Sequence, residues 1–349
     1  MGSRSCSWKR PPRPRRREMS MMERVLETPQ QLAWGAGIPE PDLPSDRPIL
    51  LLGMGGSAMG AAVGALAVSP AKRVSIHRGY GLPGWAVSER ALVVGVSYSG
   101  NTEETLSGVE EAIAEGLPVA AIASGGALAR LVAGAGSPVI EVPAGIQPRA
   151  AVGYQASAVT RLLGGAGAVE DGAAALTEAA EVADTVLGGG EGPGFALGAD
   201  IADALRGRVT IIYGAVGPGA LAAYRWKTQI NENGKMPAWW HEFPELNHNE
   251  MQGWEALQEV SSRSIGVVFL RDRHDLPRIG RRMDLTWESM SGKVALAGEV
   301  LSLGDGALAR FFSMAAVGDV ASVRLAEDAG VDPTPVDTIE RFKVRLAED

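Results

Sequence analysis

Short, continuously apolar segments alternate with longer Ala-rich segments along most of the chain, and this alternation limits the possible folds more than any other feature. Residues 47–53 (RPILLLG), 91–97 (ALVVGVS) and 118–123 are predicted strands, and residues 57–68 and 102–115 are predicted helices. Strands that are apolar along their whole length are typical of parallel sheets covered by helices on both faces. The sequence therefore predicts an α/β fold.

The same outline occurs a second time further along the chain. Residues 209–213 (VTIIY) are a predicted strand, the sequence GAVGPGA a glycine turn, residues 221–230 a helix and residues 265–270 another strand. Between the two rounds lies a Gly/Ala-rich, acidic, helical stretch that ends in GGGEGPG, which is typical of a domain boundary. We expect a disordered basic extension over residues 1–21, one domain over 22–161, a helical linker over 162–199 and a second domain over 200–349.

Composition excludes several classes of protein. With 349 residues, 46% of them hydrophobic, and a net charge of −8, the chain is not predominantly disordered and is a poor candidate for a dedicated nucleic-acid binder. The single cysteine, Cys6, excludes an internal disulfide framework and a cysteine-based zinc site. No apolar run approaches the roughly 18 residues of a membrane span. We expect a cytoplasmic protein without membrane or nucleic-acid partners.

The first 20 residues differ from the rest of the chain in charge. They contain seven basic residues, three prolines and one acid, Glu18. One interpretation is a tail that binds nucleic acid or a membrane surface. The other is a disordered extension, or an upstream start with the functional start at Met19, Met21 or Met22; proline-broken basic termini favour this second interpretation.

Two glycine- or serine-rich turns follow predicted strands. Residues 53–58 (GMGGSA) suit an anion, because glycine lets backbone N–H groups turn toward it at a helix N-terminus, but the turn also fits a dinucleotide fingerprint. The next predicted strand ends at Arg78 without the acid that NAD requires, which leaves NADP as a minor option. The serine loop, residues 97–102 (SYSGNT), could bind a phosphate through three hydroxyls at the start of a helix. The alternative is that the loop binds nothing and Asn101 is simply the N-cap of the following helix.

A third segment, residues 231–250, gathers acids, amides, two histidines and aromatic residues after a predicted helix. Glu232 and Glu250 are candidate bases, and His241 and His248 candidate acids or bases. For any single glutamate in a loop, a solvated charge is the more common explanation. The density of polar groups beside aromatic residues makes this segment a candidate for chemistry.

Five short motifs, most of them in the segments described above, together resemble one known family. They are Gly-Gly-Ser57, Ser97-Tyr-Ser-Gly-Asn-Thr102, Gln-Pro-Arg149, Asn-Glu232-Asn and Glu-Leu-Asn-His248-Asn-Glu, in this order. The set is similar to the bifunctional phosphoglucose/phosphomannose isomerases of the sugar isomerase (SIS) superfamily, over about residues 22–349. The resemblance implies two SIS-type domains, each a parallel sheet flanked by helices, and a homodimer that uses no cofactor or metal.

The resemblance also implies roles for particular residues. The phosphate and sugar would be bound by Gly56, Ser57, Ser97, Ser99, Thr102 and Arg149. Arg149 would also lie beside the reacting carbons, and Glu232 would be the base that moves a proton between C1 and C2. His248, supplied by the partner subunit in this family, would assist ring opening, and Lys343 on the last helix would join the site.

Interconversion of an aldose and a ketose phosphate requires such a set: a base, an acid for ring opening, and a cation beside the enediolate. We therefore expect a hexose 6-phosphate isomerase. Two alternatives stay open, a non-catalytic SIS module that senses a sugar phosphate and an NADP-binding oxidoreductase domain.

Overall fold

The computed structural model describes residues 19–346 and residue 348, and its first half contains a five-stranded sheet. Its strands are β1 (Ile49–Leu52), β2 (Val74–His77), β3 (Leu92–Val96), β4 (Val119–Ala123) and β5 (Val139–Glu141). They are all parallel, in the order β2-β1-β3-β4-β5. The predicted parallel α/β architecture is confirmed in this half.

Helices cover both faces of this sheet. They are α1 (Met21–Leu26), α2 (Thr28–Ala36), α3 (Gly55–Gly64), α4 (Gly84–Ser88), α5 (Glu103–Ala114), α6 (Gly126–Gly134) and α7 (Val152–Gly165), with 3₁₀ turns at Ala65–Ala67 and Pro148–Ala151. Every residue of β1, β3 and β4 is buried, and two apolar clusters form on opposite faces of the sheet. Burial on both faces explains why these strands are continuously apolar in the sequence.

The second half contains a four-stranded sheet, also fully parallel, in the order β7-β6-β8-β9. Its strands are β6 (Val209–Ala215), β7 (Ala238–Phe243), β8 (Ile265–Arg271) and β9 (Ala295–Leu301). The remaining helices are α8 (Gly172–Leu187), α9 (Pro193–Leu205), α10 (Pro218–Glu232), α11 (Glu250–Gly253), α12 (Gln258–Ser264), α13 (Pro277–Met290), α14 (Ala307–Asp328) and α15 (Asp337–Leu346). Two further 3₁₀ turns lie at Gly188–Gly190 and Glu245–His248.

Helix α14 lies at the centre of the molecule. Of its 22 residues 18 are buried, which requires a helix that is apolar on nearly every side. It packs in one continuous apolar cluster with side chains from both halves, among them Leu32 of α2, Met59 of α3 and Trp226 of α10. The two sheets are therefore joined through a shared helical core.

Helix α1 is the first described element that packs into this core. Ser20 caps α1 through a capping box with Glu23, and Met21 is buried. Residues 23–32 have the sequence pattern of one helix. They belong to two helices, because α1 ends at Leu26 with Glu27 as its cap and Pro29 then occupies the first turn of α2. The interpretations of residues 1–18 lie outside the described part of the chain.

In the second half, strands β7 and β9 and helices α11 to α14 were not predicted from the sequence. β7 contains two tryptophans and two charged or polar residues, and β9 contains a glycine followed by a glutamate, so neither strand has an uninterrupted apolar run. None of the helices within residues 19–346 is long and apolar enough to cross a lipid bilayer.

Candidate active site

The serine loop joins the carboxyl end of β3 to α5. The hydroxyls of Ser97 and Thr102 lie 2.8 Å apart, and Ser97 Oγ also accepts from the backbone N–H of Gly100 at 3.1 Å. Ser97 is buried, Thr102 is half-buried and Ser99 is exposed. The loop is thus held from inside by Ser97, while Ser99 and Thr102 lie closer to solvent.

Asn101 does not cap α5, as one interpretation of the sequence expected. Thr102 occupies the N-cap position of α5 and makes no side-chain capping hydrogen bond. Asn101 Oδ1 instead accepts from the backbone N–H of Ala127, in the first turn of α6, at 3.0 Å. Sequence spacing cannot reveal this bond, because the two residues are brought together only by the fold. The N-terminus of α5 is left without a side-chain acceptor, which suits an external anion.

The glycine turn after β1 reaches the serine loop directly. Ser57, in the first turn of α3, accepts from the backbone N–H of Tyr98 at 2.9 Å. Met54, at the N-cap of α3, makes no side-chain capping bond either. Two helix N-termini, of α3 and α5, therefore lie beside the same group of hydroxyls, and both favour negative charge.

Two glycines in this region lie in close contact with the backbone of other segments. Gly100 has a φ of 68°, and a Cβ there would lie 1.9 Å from the carbonyl oxygen of Gly125. A Cβ at Gly56 would lie 3.1–3.3 Å from the backbone of Pro148 and Arg149. The first contact packs the serine loop against α6, and the second brings the start of α3 against Arg149.

Arg149 lies in the 3₁₀ turn before α7 and is buried, with 4% of its surface exposed. Its Nε donates to Asn233 Oδ1 at 2.7 Å, and its Nη2 donates to the carbonyl oxygens of Pro333 and Thr334 at 2.7 and 2.8 Å. Its Nη1 lies 3.4 Å from Glu232 Oε2. Burial lowers the pKa of Arg149, and the neighbouring Glu232 carboxylate opposes this change.

Glu232 is the last residue of α10, and Asn233 is its C-cap. The side chain of Glu232 is 29% exposed, so its carboxylate contacts the buried Arg149 and is also open to solvent. Asn233 is fully buried, and its Nδ2 donates to Ser322 Oγ of α14 at 3.0 Å. The end of α10 therefore places a carboxylate and an amide on the same guanidinium.

Lys235 contacts the same region from the other side. Its Nζ donates to the carbonyl oxygens of Glu232 and Pro335, both at 2.5 Å, and to that of Pro333 at 3.3 Å. Partial burial and the charge of Arg149 lower the pKa of Lys235. Arg149 and Lys235 together hold the α14–α15 connection (residues 329–336) against the end of α10.

The rest of the polar segment 231–250 is divided between β7 and short helical turns. His241 lies on β7, where its Nδ1 is buried without a hydrogen-bond partner among the described residues. Glu250 accepts a short hydrogen bond from the hydroxyl of the buried Tyr213, and burial first, then Glu250, raises the pKa of Tyr213. Of the two candidate bases, Glu250 is thus engaged with a core tyrosine, whereas Glu232 faces Arg149.

His248 and Lys343 are not brought to these groups within one chain. His248 is exposed at the end of the 3₁₀ turn Glu245–His248. Lys343 is exposed on α15 and pairs with Glu340 of the same helix at 3.1 Å. Helix α15 has no buried residue. The other seven predicted site residues form one connected group that runs from α3 and the serine loop through Arg149 to Glu232.

Sequence reasoning missed the groups that hold Arg149. Asn233 was noted only as part of a motif, and Lys235 and the α14–α15 connection were not considered. The buried ion pair between Arg225 and Asp319, with Nη2 and Oδ2 2.7 Å apart, was also missed. These groups come from parts of the chain that are distant in sequence and are brought together only by the fold.

Arg78, the residue considered for NADP, is exposed and stacks 5.5 Å from the ring centroid of Tyr224.

The two parallel sheets flanked by helices are a fold also found in phosphosugar isomerases, among them the tagatose-6-phosphate ketose/aldose isomerase of Escherichia coli, with a TM-score of 0.67 and 14% identity over 90% of this chain and 94% of that one. Residues 197–346 match the family model of the bacterial phospho-glucose isomerase C-terminal SIS domain. The chain belongs to the family of bifunctional phosphoglucose/phosphomannose isomerases and is an isomerase.

Named relatives support this membership over most of the chain. The chain is 37% identical to the bifunctional phosphoglucose/phosphomannose isomerase of Caldicellulosiruptor bescii, over 86% of this chain and 89% of that one. It is 35% identical to the enzyme of the same name from Aquifex aeolicus, over 87% and 92%. A crystal structure of a hypothetical protein from Thermus thermophilus shares the fold, with a TM-score of 0.72 and 16% identity, over 95% of this chain and 91% of that one.

Proposed function

We propose that this isomerase interconverts glucose 6-phosphate and mannose 6-phosphate with fructose 6-phosphate through an enediolate, with Glu232 as the base. The observation that carries the proposal is the contact between Glu232 Oε2 and Arg149 Nη1 at 3.4 Å. A carboxylate that can take a proton from carbon lies beside a cation that can stabilise the negative charge which then develops. The names of the relatives supply the substrates.

The phosphate would bind where the serine loop meets the start of α3. Backbone N–H groups of two helix N-termini and the hydroxyls of Ser57, Ser99 and Thr102 would donate hydrogen bonds to it. Holding this remote group supplies binding energy that orients the reacting carbons. The path from Ser57 through Gly56 to Arg149 is continuous, which supports placing the sugar along it.

The chemical step transfers one proton between neighbouring carbons. Glu232 removes the proton from C2 of the open-chain aldose, the electrons of the broken C–H bond form a C1–C2 double bond, and the carbonyl oxygen becomes anionic. Arg149 stabilises this enediolate. The proton of the C2 hydroxyl then moves to the C1 oxygen. Glu232 returns the proton that it removed to C1, and the product is the ketose. Because C2 is planar in the enediolate, return of a proton to either face of C2 gives glucose or mannose 6-phosphate.

His248 would act from a second copy of the chain, in a homodimer. Its exposure and its absence from the connected group within one chain support this arrangement. A histidine can transfer a proton during ring opening near neutral pH. Lys343 would need α15 to move or to meet a second copy, because Lys343 is exposed and α15 has no buried residue in its own chain.

Turnover of fructose 6-phosphate by the purified protein, with no added cofactor, tests the proposal. We expect both glucose 6-phosphate and mannose 6-phosphate to form, each measured by its own coupled assay. Fructose without phosphate serves as the control and should be a much poorer substrate. Binding of fructose 6-phosphate without turnover would instead support a sugar-phosphate sensor and contradict the proposal.

A further inference from the structure

The hydrogen bonds of Arg149 leave very little freedom to its guanidinium. Of the five N–H groups of an arginine side chain, the single one on Nε goes to Asn233 Oδ1, and both on Nη2 go to the carbonyl oxygens of Pro333 and Thr334. Nη1 faces Glu232 Oε2 at 3.4 Å. Nη1 is thus the nitrogen left for a substrate, and it lies beside the carboxylate.

Asn233 is itself held in one orientation. It is fully buried, its Oδ1 accepts from Arg149, and its Nδ2 donates to Ser322 Oγ at 3.0 Å. Ser322 Oγ in turn donates to the carbonyl oxygen of Asp319 at 2.7 Å, so it has an acceptor site for Asn233 and no second proton. A flipped amide would place an NH₂ group against the Nε–H of Arg149, which is why only one orientation satisfies both neighbours.

Helices α10 and α14 also hold the backbone of Arg149. Arg225 Nη2 donates to the carbonyl oxygen of Arg149 at 3.3 Å and to Asp319 Oδ2 at 2.7 Å. Helices α10 and α14 therefore hold both the main chain and the side chain of Arg149. Of the groups that accept hydrogen bonds from the guanidinium, Pro333 and Thr334 contribute main-chain carbonyl oxygens, and Asn233 contributes a fully buried side chain.

We propose that Asn233 is a positioning residue for the isomerisation: through its hydrogen bond to Arg149 Nε it sets the direction in which Nη1 faces the substrate beside Glu232. The inference rests on the proposed function, in which Arg149 stabilises the enediolate. Loss of the amide leaves a buried Nε–H without an acceptor, and the guanidinium then turns about its bonds to Pro333 and Thr334. Misplacement of about 1 Å at a reacting group reduces turnover by up to about 100-fold.

Asn233→Ala tests the proposal in two backgrounds, wild type and Arg149→Lys. In the wild type we expect kcat to fall about 10- to 100-fold, with KM changed less than about threefold, because the interaction acts on the transition state. Lysine has no Nε–H in that position and no planar fork, so Asn233 has nothing to orient. In the Arg149→Lys background Asn233→Ala should therefore change kcat less than about twofold.

Asn231→Ala is the matched control. Asn231 lies two residues earlier on α10, and its Nδ2 donates to the carbonyl oxygen of Met236 at 2.8 Å without contacting Arg149. We expect its kcat to stay within about threefold of wild type. Asn233→Asp, which keeps an acceptor for Nε, should recover kcat above the alanine variant, because the hydrogen bond to Arg149 Nε is retained.

Two results would overturn the inference. They are a kcat of Asn233→Ala within twofold of wild type and an equal fall of kcat in both backgrounds. If Asn233→Ala does not fold, Asn233→Leu, which has a similar size and no acceptor for Nε, is measured in the same two backgrounds with the same expected and contradicting results. An Arg149→Ala enzyme with wild-type kcat would identify a failure of the proposed function, whereas a slow Arg149→Ala enzyme beside a normal Asn233→Ala enzyme would identify a failure of this inference only.

Discussion

Arg149 Nη1 lies 3.4 Å from Glu232 Oε2, although 83 residues separate the two in the chain. Arg149 comes from the turn before α7 in the first half, and Glu232 ends α10 in the second half. The contact therefore exists only where the two halves meet around α14. An isomerase site built on this pair depends on the shared helical core as well as on either sheet.

The serine loop should affect substrate binding more than turnover. Ser99→Ala and Thr102→Ala should mainly raise the KM for fructose 6-phosphate, because each removes a hydroxyl donor from the phosphate site. Ser99 is exposed and accepts only from the backbone N–H of Asn101 among the described residues, so its loss should leave stability unchanged. Steady-state kinetics measure the effect, and Ser88→Ala, at an exposed position of α4, is the control.

Equal affinities for fructose 6-phosphate and unphosphorylated fructose in the wild type would contradict the phosphate site at the serine loop.

Ser97→Ala is expected to differ from Ser99→Ala in its effect on stability. Ser97 is buried and accepts from Gly100 N, so its loss should lower both stability and substrate affinity.

The buried ion pair between Arg225 and Asp319 should be important for stability. Both side chains are 4% exposed. Burial raises the pKa of Asp319, and the Arg225 guanidinium opposes the rise. Asp319→Asn leaves the charge of Arg225 buried and unpaired, which we expect to lower the free energy of unfolding by about 3–5 kcal/mol.

Denaturant unfolding measures this change, with Glu327→Gln as the control. Glu327 pairs with Arg324 at 2.9 Å on the surface of α14. An exposed pair contributes about 0–1 kcal/mol, so the control should differ little from wild type. Similar losses in the two variants would show that the buried pair has no special role.

Asp275 should make stability depend on pH. Burial first, and the nearby charge of Asp272, raise the pKa of Asp275 to about 6 from a usual value near 3.8. Because the folded protein binds this proton more tightly than the unfolded chain, the group contributes stability below about pH 4 that is lost as the pH rises through 6. Asp275→Asn keeps an acceptor for the backbone N–H of Asp272 without the charge.

The asparagine variant should therefore be more stable than wild type at pH 7.5, and the difference should shrink toward pH 4. Unfolding by denaturant at several pH values between 4 and 7.5 measures it. A difference that is constant over this range would show that Asp275 titrates alike in the folded and unfolded chains.

Mixed dimers should recover activity from two inactive chains. If His248 acts across the interface, a Glu232→Gln chain paired with a His248→Ala chain forms one site with both wild-type groups. Because one of the two sites of such a dimer is restored, we expect up to about half of the wild-type activity per purified mixed dimer, measured as fructose 6-phosphate turnover. No recovery in dimers shown to be mixed would place both groups in one chain.

The strands of the first sheet were predictable because burial on both faces requires uninterrupted apolar residues, as in β1 and β3. β7 was missed because it lies at the edge of its sheet and only its two end residues are buried, so that it tolerates Trp239, His241 and Glu242 between them. A sequence pattern of this kind is also found in loops.

The candidate site could be proposed from motifs, but its internal contacts could not. Nothing in the sequence shows that Asn101 caps α6, or that Asn233 and the α14–α15 connection hold Arg149. Such bonds join residues 26 to 185 positions apart, so they depend on the packing of helices rather than on local spacing. The residues that position other side chains through hydrogen bonds are therefore the part of a site that cannot be predicted from the sequence.

The turnover of a Glu232→Gln enzyme tests most directly whether Glu232 moves the proton. Glutamine keeps the shape of the side chain and removes the basic group, so kcat for fructose 6-phosphate should fall about 10²- to 10⁴-fold with KM little changed. Exchange of the C2 hydrogen of mannose 6-phosphate with solvent deuterium should fall equally. Glu245→Gln, at an exposed position, is the control and should stay near wild type. A Glu232→Gln enzyme that turns over and exchanges at near wild-type rates would contradict the account.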